Sequence, residues 1–394
     1  MPAKLCLHAA PATLVLLAVI LALAVAGLMA FSDSKAAAVQ QVSCGDTIAA
    51  DTTLHHNLVN CPNNGIIIGA DDVTLDLNYH TIDGDGTPNA DCNDQNETCD
   101  VGVAIEGHDG DTVVHGSVRQ FGDGVIVGTA RHTRLLGVSS SRNQFSAIVV
   151  FDSTRGLVRN CSGNGSVAGV GQGMFLTFSH EVRILHNSFR NNADNGIGVF
   201  ESTHNLIQGN LTSRNKGVAG IRIDSDRNRV RRNRSVRDGV FGIFVDGKRN
   251  VIARNRVSQP HLPGHREEGV AIEVDGGDRN VIARNSVRDT EGDAISVIDR
   301  AVGNVVRRNH TREAGEDGVH IGAKARDTHL RRNHARHSQD DGIDVKSRST
   351  KLTRNEARRN VDLGIEAVRG VIDGGGNKAS GNGDPRQCTH VVCR

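Results

Sequence analysis

Three carboxylates, Asp224, Asp246 and Glu273, occupy the same position in three consecutive copies of a repeated sequence. If consecutive copies stack as neighbouring turns, these carboxylates lie about 5 Å apart. Like charges at that distance repel, so a raised pKa, a bound cation or a basic neighbour must relieve them, and Arg222 and Lys248 are placed to do so. A carboxylate pair near this spacing can also supply an acid and a nucleophile or base to a glycoside.

A second group, from later copies, combines a histidine with charged residues of both signs: His320, Asp344, Lys346 and Glu366. An imidazole can transfer protons near neutral pH, and cations can hold the carboxylate of a uronic acid. Both groups also have a simpler interpretation as ion pairs that keep the surface soluble. We predict catalytic roles for Asp224, Asp246, Glu273, His320, Asp344 and Lys346, and substrate-binding roles for Arg222, Lys248 and Glu366.

A row of arginines recurs immediately before a repeated asparagine, at Arg232, Arg254, Arg284, Arg308, Arg332 and Arg354. Guanidinium groups in register could bind a polyanion through paired N–H donors. They could equally pair with acids that follow the third apolar stretch of a copy, such as Asp238, Asp289 and Glu313.

The repeat that creates these rows occurs about thirteen times. Its pattern is Gly-apolar-x-apolar, a polar turn, and then x-apolar-x-x-Asn, as in Gly196–Asn210 and Gly242–Asn255. After the first gap, the copies begin every 22 to 27 residues, at Gly65, Gly102, Gly124, Ala147, Gly173, Gly196, Gly220, Gly242, Gly269, Ala294, Gly318, Gly342 and Gly364. A period in this range indicates a solenoid of stacked units, with function on its outer surface.

Each copy is too short for a strand-helix-strand unit, and its apolar residues alternate with the period of a β-strand. In the copy that begins at Gly196, Ile197 and Val199 face inward and Gly198 faces outward. Three short strands per coil of about 23 residues predict an all-β protein, a parallel β-helix of about 13 coils. The recurring Asn, at 187, 210, 233, 255, 285, 309, 333, 355 and 377, is predicted to form an inward-facing structural ladder.

The N-terminal residues 1–38 read as an export signal, with Lys4, an apolar run from Leu14 to Ala30 and a small-residue cleavage site at 36–38. An uncleaved membrane anchor is the alternative. Residues 39–64 are assigned to an N-terminal cap, 65–376 to the β-helix and 377–394 to a C-terminal cap, because open coils expose strand edges.

Eight cysteines suit an exported protein. The close pairs Cys44 with Cys61, Cys92 with Cys99, and Cys388 with Cys393 predict disulfides that clip the ends and one loop. Cys161 is left over and is predicted to be buried. Zinc is the alternative for these cysteines, although no CxxC pair occurs. The acidic loop 83–100 offers oxygen ligands for Ca²⁺ or is simply solvated, since its spacing is not that of an EF-hand; no other cofactor is indicated.

The opening of the repeat region, residues 44–86, and the later coils resemble secreted bacterial proteins of the right-handed parallel β-helix repeat family, which share the pectin-lyase fold. The resemblance implies that ligands lie along the outer face of one sheet. It does not name an activity, because this fold hosts lyases, hydrolases, epimerases and proteins with no known reaction.

Catalytic signatures of these relatives are mostly absent. Trp is absent, unlike in pectate lyases, and there is no Asp-Pro-His-Asp run of mannuronan epimerases. Asp340-Asp341-Gly342 resembles a polygalacturonase motif. Acids also precede Gly318 and Gly269, however, so an acid at this position is a general feature of the repeat. Relatives that supply copper to nitrous oxide reductase are a further candidate, but Met occurs only at positions 1, 29 and 174, which excludes a Met-rich copper site.

We therefore expect an exported protein, secreted or at the cell surface or in the periplasm, that binds an acidic polysaccharide. If it is an enzyme, it is a lyase, glycoside hydrolase or epimerase acting on a uronate polymer; the alternative is a non-catalytic surface scaffold. The lack of Trp and the single Tyr speak against sugar stacking. With 46 basic and 45 acidic residues, a net charge of +1 gives no reason to expect nucleic acid or an anionic membrane as partner.

Overall fold

Short parallel strands make up the regular structure of this chain, for which a computed structural model describes residues 41–87, 100–167, 169–260 and 269–394. The described residues form forty strands, and none of them belongs to a helix long and apolar enough to cross a membrane. The predicted export signal, residues 1–38, lies outside the described residues.

In chain order the strands are β1 (Asp46–Ile48), β2 (Thr52–Thr53), β3 (Leu58–Cys61), β4 (Ile66–Ile68), β5 (Thr74–Asp76), β6 (Thr81–Gly84), β7 (Val101–Glu106), β8 (Thr112–Arg119), β9 (Asp123–Gly128), β10 (Arg134–Ser141), β11 (Ile148–Phe151), β12 (Leu157–Arg159), β13 (Ser162–Asn164), β14 (Met174–Thr177), β15 (Arg183–Leu185), β16 (Ser188–Arg190), β17 (Ile197–Phe200), β18 (Leu206–Gln208), β19 (Leu211–Ser213), β20 (Ala219–Asp224), β21 (Arg229–Arg231), β22 (Arg234–Val236), β23 (Phe241–Val245), β24 (Val251–Ala253), β25 (Arg256–Ser258), β26 (Val270–Asp275), β27 (Val281–Ala283), β28 (Ser286–Arg288), β29 (Ile295–Ile298), β30 (Val305–Arg307), β31 (His310–Arg312), β32 (His320–Ile321), β33 (His329–Arg331), β34 (His334–Arg336), β35 (Ile343–Val345), β36 (Lys351–Thr353), β37 (Glu356–Arg358), β38 (Ile365–Ala367), β39 (Ile372–Asp373) and β40 (Lys378–Ser380).

Each turn of the chain contributes one segment to each of three parallel sheets. The first sheet has fourteen strands in the order β1-β4-β7-β9-β11-β14-β17-β20-β23-β26-β29-β32-β35-β38. The second sheet runs from β2 to β39 and the third from β3 to β40, and the eight-residue strands β8 and β10 pass through both. The predicted all-β parallel β-helix with three strands per coil is confirmed.

The number of turns is fourteen, one more than the sequence pattern gave. The additional turn is the first, since Asp46 of β1 pairs with Ile66 of β4. It lies inside residues 39–64, the segment assigned to the N-terminal cap.

The interior is a column of stacked aliphatic side chains. Ile197 and Val199 are fully buried, as the alternation predicted. The inward residues of the second sheet are also fully buried and stack in register: Ile207, Val230, Ile252, Ile282, Val306, Leu330 and Leu352. Small inward side chains such as Ala335 and Ala357 fill the third sheet.

The asparagine ladder forms as predicted. Asn210 Oδ1 accepts the backbone N–H of Asn187 at 2.8 Å, and Asn210 Nδ2 donates to the carbonyl of Ile184 at 2.9 Å. The contact repeats from turn to turn up to Asn377. Because the amides are buried, the glycosylation sequons at Asn210, Asn233 and Asn309 are a by-product of the ladder.

The ends of the rod are clipped by the disulfides Cys44–Cys61 and Cys388–Cys393, and Cys161 is free and buried. The proposed Cys92–Cys99 pair and most of the acidic loop around it lie outside the described residues. Asp83, at the start of that loop, is held by Arg119 through two hydrogen bonds of 2.9 and 2.8 Å. The longest insertion between copies, residues 258–268, contains His261 and His265, and the structure describes it only as far as Pro260.

Candidate functional site

The outer face of the first sheet carries most of the predicted site residues in two adjacent rows. One row, in register from strand to strand, is Phe175, Gly198, Arg222, Phe244, Glu273, Ser296, His320, Asp344 and Glu366. The other contains Phe200, Asp224 and Asp275, with Asp246 between the last two because its neighbour Val245 pairs with Val274. Asp224 and Asp246 therefore lie in one row and Glu273 in the other, although the sequence pattern had grouped all three.

The predicted stack of Asp224, Asp246 and Glu273 is wrong in its third member. Glu273 pairs with Phe244, and Asp275 is the carboxylate that continues the row. The residue opposite Gly242 in this turn is Ala271 and not Gly269, because Phe241 pairs with Val270 and Ile243 with Ile272. Asp275 was missed for that reason alone.

Arg222 lies between two phenyl rings at the centre of this face. Its guanidinium carbon is 5.2 Å from the ring centre of Phe200 and 5.9 Å from that of Phe244. The Phe175 ring continues the aromatic surface, 5.5 Å from Phe200. Gly198 lies under this aromatic surface, where a Cβ would collide with the side chains of Gln172 and Phe200. The period places Phe175 and Phe244 at outward positions, but sequence reasoning assigned these rings no binding role, because only Trp and Tyr were considered for sugar stacking.

The carboxylates beside the rings repel one another. Arg222 Nε and Nη2 donate to Asp224 Oδ2 at 2.8 and 2.6 Å, so the predicted support of the stack by Arg222 is present. Burial and the charge of Asp224 raise the pKa of Asp246. Burial, and then the neighbouring Asp299, raise the pKa of Asp275 to about 6. Lys248 does not join this row; its Nζ is 3.2 Å from Asp278.

The second predicted group comes together as proposed and includes an additional carboxylate. His320 Nδ1 is 3.0 Å from Asp344 Oδ2 and 3.5 Å from Asp317 Oδ2. Lys346 Nζ is 3.1 Å from Asp344 Oδ1 and also pairs with Glu366. Asp317 was not predicted, although acids directly before the glycine of a copy were visible in the sequence.

These contacts decide the charge of His320. Its burial alone would lower the pKa, but hydrogen bonds to Asp317 and Asp344 outweigh burial and raise the pKa to about 10. Burial likewise opposes ionisation of Asp344, yet His320 and Lys346 hold its pKa below the usual value. The raised pKa favours the imidazolium form of His320 at neutral pH, which disfavours the proton-accepting role that the sequence suggested.

Beneath this group lies a ladder of buried carboxyls. Asp293 Oδ1 accepts the N–H of Asp317 at 3.0 Å, Asp317 Oδ1 that of Asp341 at 2.9 Å, and Asp341 Oδ1 that of Leu363 at 2.8 Å. Burial raises the pKa of Asp293 and of Asp341 to about 8 each. These two carboxyls thus bind protons near neutral pH while they hold the turns together.

Two family models match the chain. A model described as "Periplasmic copper-binding protein (NosD)" matches residues 63–310, more than half of the 394 residues. A model described as "Right handed beta helix region" matches residues 265–388. No protein with a curated description matches the chain.

Met174, Cys161 and His320 do not form a copper site. Met174 is fully buried in the core, and the Cys161 thiol points at the carbonyls of Leu135 and Arg159 at 3.4 Å each. Burial raises the pKa of Cys161 to about 11, so it is not a thiolate ligand. His320 is protonated between two carboxylates. These three residues therefore do not offer the soft or neutral donors that copper prefers.

Solved structures with TM-scores above 0.5 share the architecture at low identity. The Dettilon tailspike protein (gp208) is 16% identical with a TM-score of 0.58; the match covers 76% of this chain but only 63% of the tailspike chain. DFA-IIIase from Arthrobacter chlorophenolicus A6 is 10% identical over 72% of this chain and 84% of its own, with a TM-score of 0.54. The periplasmic alginate epimerase AlgG is 13% identical over 84% and 82%, with a TM-score of 0.48. The second model describes right-handed β-helix coils, and this chain is built as a right-handed parallel β-helix. Because the NosD model matches more than half of this chain, the chain belongs to the NosD family.

Proposed function

We propose that this protein is an exported polysaccharide-binding protein, and that the sugar chain lies along the outer face of its first sheet. The observation that carries the proposal is the platform of Phe175, Phe200, Arg222 and Phe244, which continues into the carboxylates of Asp224 and Asp246. Phenyl faces bury the C–H face of a sugar ring, and carboxylates accept hydrogen bonds from its hydroxyls. The two terminal disulfides support export, because such bonds persist in oxidising compartments.

The geometry favours binding over turnover. Asp224 is held by Arg222, Asp344 is held by His320 and Lys346, and His320 carries a proton. Glu273 lies in the neighbouring row and is buried. Asp246 is exposed and has a raised pKa, so it is the group that would donate a proton if the bound sugar were cleaved or epimerised.

The charge of this face argues against a uronate as its ligand. Arg222, Lys248 and Lys346 are already paired with Asp224, Asp278 and Asp344. A carboxylate on the polymer would have to displace these partners and would meet Asp246 and Asp275 nearby. An uncharged or amine-bearing stretch of polysaccharide suits the face better.

Affinity electrophoresis of the purified protein in gels that contain dextran, chitosan or polygalacturonate tests the proposal. We expect retardation by dextran or chitosan. The double variant Phe200→Ala/Phe244→Ala should weaken that binding at least about tenfold, because each ring contributes about 1 kcal/mol or more. Phe178→Ala is the matched control, since Phe178 is exposed and lies beyond the end of β14. Full affinity in the double variant would exclude this face as the binding site.

The same samples report turnover. Reducing ends, absorbance of unsaturated products and the epimer ratio are measured after incubation with each polymer, with and without Ca²⁺. Any activity that appears should be lost in Asp246→Asn; activity that persists in that variant would remove Asp246 from the chemistry.

A further inference from the structure

A second surface, independent of the first sheet, is formed by the arginine row of Arg232, Arg254, Arg284, Arg308, Arg332 and Arg354. Each arginine directly follows the strand that its turn contributes to the second sheet and precedes a buried ladder asparagine. The row therefore follows the corner between the second and third sheets. Its side chains are exposed or half-buried.

The turns beneath the row are held in register. The backbone N–H of Arg284 donates to the carbonyl of Arg307 at 3.1 Å, and that of Arg308 donates to the carbonyl of Arg331 at 3.0 Å. The asparagine after each arginine is bonded to the next asparagine of the ladder, as in Asn285 with Asn309 at 2.9 Å. The guanidinium groups thus rise from fixed positions about 4.8 Å apart along the rod.

Within the described residues, none of the six arginines forms an ion pair. The acids that the sequence offered as partners are engaged elsewhere. Asp238 is buried and accepts hydrogen bonds from Thr212 and Ser235. Asp289 pairs with Arg288, and Glu313 with Arg312.

Arg332, near one end of the row, is consequently repelled by neighbouring arginines. The pKa of Arg332 is lowered, first by the charge of Arg331, then by burial, and then by Arg308 and Arg354. Such a lowering means that the cations face one another without sufficient neutralisation. An anionic ligand with charges at a similar spacing would remove that cost.

The fold does not require arginine at this corner. A comparable corner after each third-sheet strand also has left-handed backbone, but its residues are mixed: Arg237, Gln259, Asp289, Glu313, His337 and Arg359. Neighbours in that mixed row form hydrogen bonds with one another, such as the 3.0 Å bond from Arg237 Nε to Gln259 Oε1. Gly209 and Gly376 occupy the ends of the arginine row's own corner, so a residue without charge fits there.

The centre of the row forms an open pocket of about 450 Å³, lined by Arg284, Arg308, His310, Arg332 and His334. The two imidazole rings stack with their centres 4.8 Å apart and nearly parallel. This gives a cationic groove with planar surfaces, several turns long. Carboxylates match the paired N–H donors of a guanidinium in such a groove.

We propose that the arginine row binds an acidic polysaccharide, with carboxylates of successive sugars paired to guanidinium groups on successive turns. A polyuronate suits a straight row of regularly spaced cations, because it carries one carboxylate on each monomer. An exported protein with a net charge of only +1 is not built to collect nucleic acid. The proposal stands apart from sugar binding on the first sheet.

The test compares binding of polygalacturonate oligomers, neutral dextran oligomers and duplex DNA to the purified protein by isothermal titration calorimetry. We expect binding of polygalacturonate that weakens at least about tenfold from about 50 mM to about 300 mM NaCl. Arg308→Glu/Arg332→Glu should weaken it at least about tenfold at low salt, and Arg308→Lys/Arg332→Lys should retain part of it.

Arg237→Glu/Arg359→Glu is the matched control, because it makes the same charge change in the mixed row and should leave affinity nearly unchanged. Phe200→Ala/Phe244→Ala should also keep polygalacturonate binding, which separates this surface from the first sheet. If the Glu variant does not fold, as judged by circular dichroism, Arg308→Gln/Arg332→Gln replaces it with the same expected direction. The proposal is overturned by absence of binding, by equal loss in the control, or by tighter binding of DNA than of polygalacturonate.

Discussion

The outer face of the first sheet and the arginine row rise from the same stacked turns, but they differ in how their charges are balanced. On the first sheet, and in the turns that directly follow its strands, each of Arg222, Lys248 and Lys346 has a carboxylate within 3.2 Å. In the arginine row the charges that lower the pKa of Arg332 are those of other arginines, and the acids Asp289 and Glu313 of the neighbouring corner bind their own partners.

The difference shows what a repeat does and does not specify. Stacking places any residue type directly above its counterpart, so both surfaces are rows. Whether a row is balanced internally or needs a ligand depends on which residues fill it. The first sheet offers rings and hydrogen-bond acceptors, and the arginine row offers uncompensated positive charge.

The largest change in stability is expected when a ladder asparagine, and not the adjacent arginine of the row, is substituted. Asn309 Oδ1 accepts from the backbone of Asn285 at 2.9 Å, and its Nδ2 donates to the carbonyl of Ile282 at 2.9 Å. Asn309→Ala leaves buried partners unsatisfied and should lower the free energy of unfolding by about 3 kcal/mol. Arg308→Ala, one residue away on the surface, should change it by less than about 0.5 kcal/mol. Urea denaturation followed by circular dichroism measures both.

An equal loss of stability in the two variants would show that the arginine row is part of the scaffold and is not a separate binding surface. Loss in Asn309→Ala alone would leave the arginines free for a role in binding.

A smaller effect is expected from the carboxyls beneath the first sheet. Burial raises the pKa of Asp341 from the ordinary 3.8 to about 8. The folded state therefore binds this proton more tightly than the unfolded state, so the contribution to stability is complete below pH 3.8 and is lost as the pH rises through 8. Asp341→Asn keeps an acceptor for the N–H of Leu363, as Asn195 does for Ala219 at 2.8 Å.

The free energy of unfolding of this variant should therefore exceed that of the parent by at least about 2 kcal/mol at pH 8.5 and should be nearly the same at pH 4. Denaturation at the two pH values provides its own control. A gain of equal size at both would show that packing, and not the ionisation of a buried acid, limits stability on this side of the rod.

The stacked turns also determine which features could be predicted from the sequence. The fold, the inward aliphatic residues and the Asn187–Asn377 ladder follow from the period, because hydrophobic alternation and stacking are local properties. The register failed at Glu273, where an insertion precedes two small residues, Gly269 and Ala271, that could each begin a copy. Only backbone pairing distinguishes them.

The charge state of the site could not be predicted from the sequence. His320 has the residue type of a base, but its contacts with Asp317 and Asp344 turn it into a cation. Lys248 is near the acid row in sequence, but it pairs with Asp278. Such outcomes depend on side-chain conformation and burial, which the repeat pattern does not determine.

The smallest effect is expected within the arginine row itself. Arg308 has a φ of 57°, a left-handed conformation that asparagine adopts more readily than arginine. Arg308→Asn should therefore raise the free energy of unfolding by about 0.5 kcal/mol, and it also removes one charge that repels Arg332. The same substitution should weaken the salt-dependent binding of polygalacturonate. Denaturation and calorimetry on one preparation measure both effects. A variant that lost both stability and affinity would show that arginine is kept at this corner for folding. A gain in stability with a loss of affinity would show that arginine is kept for its ligand.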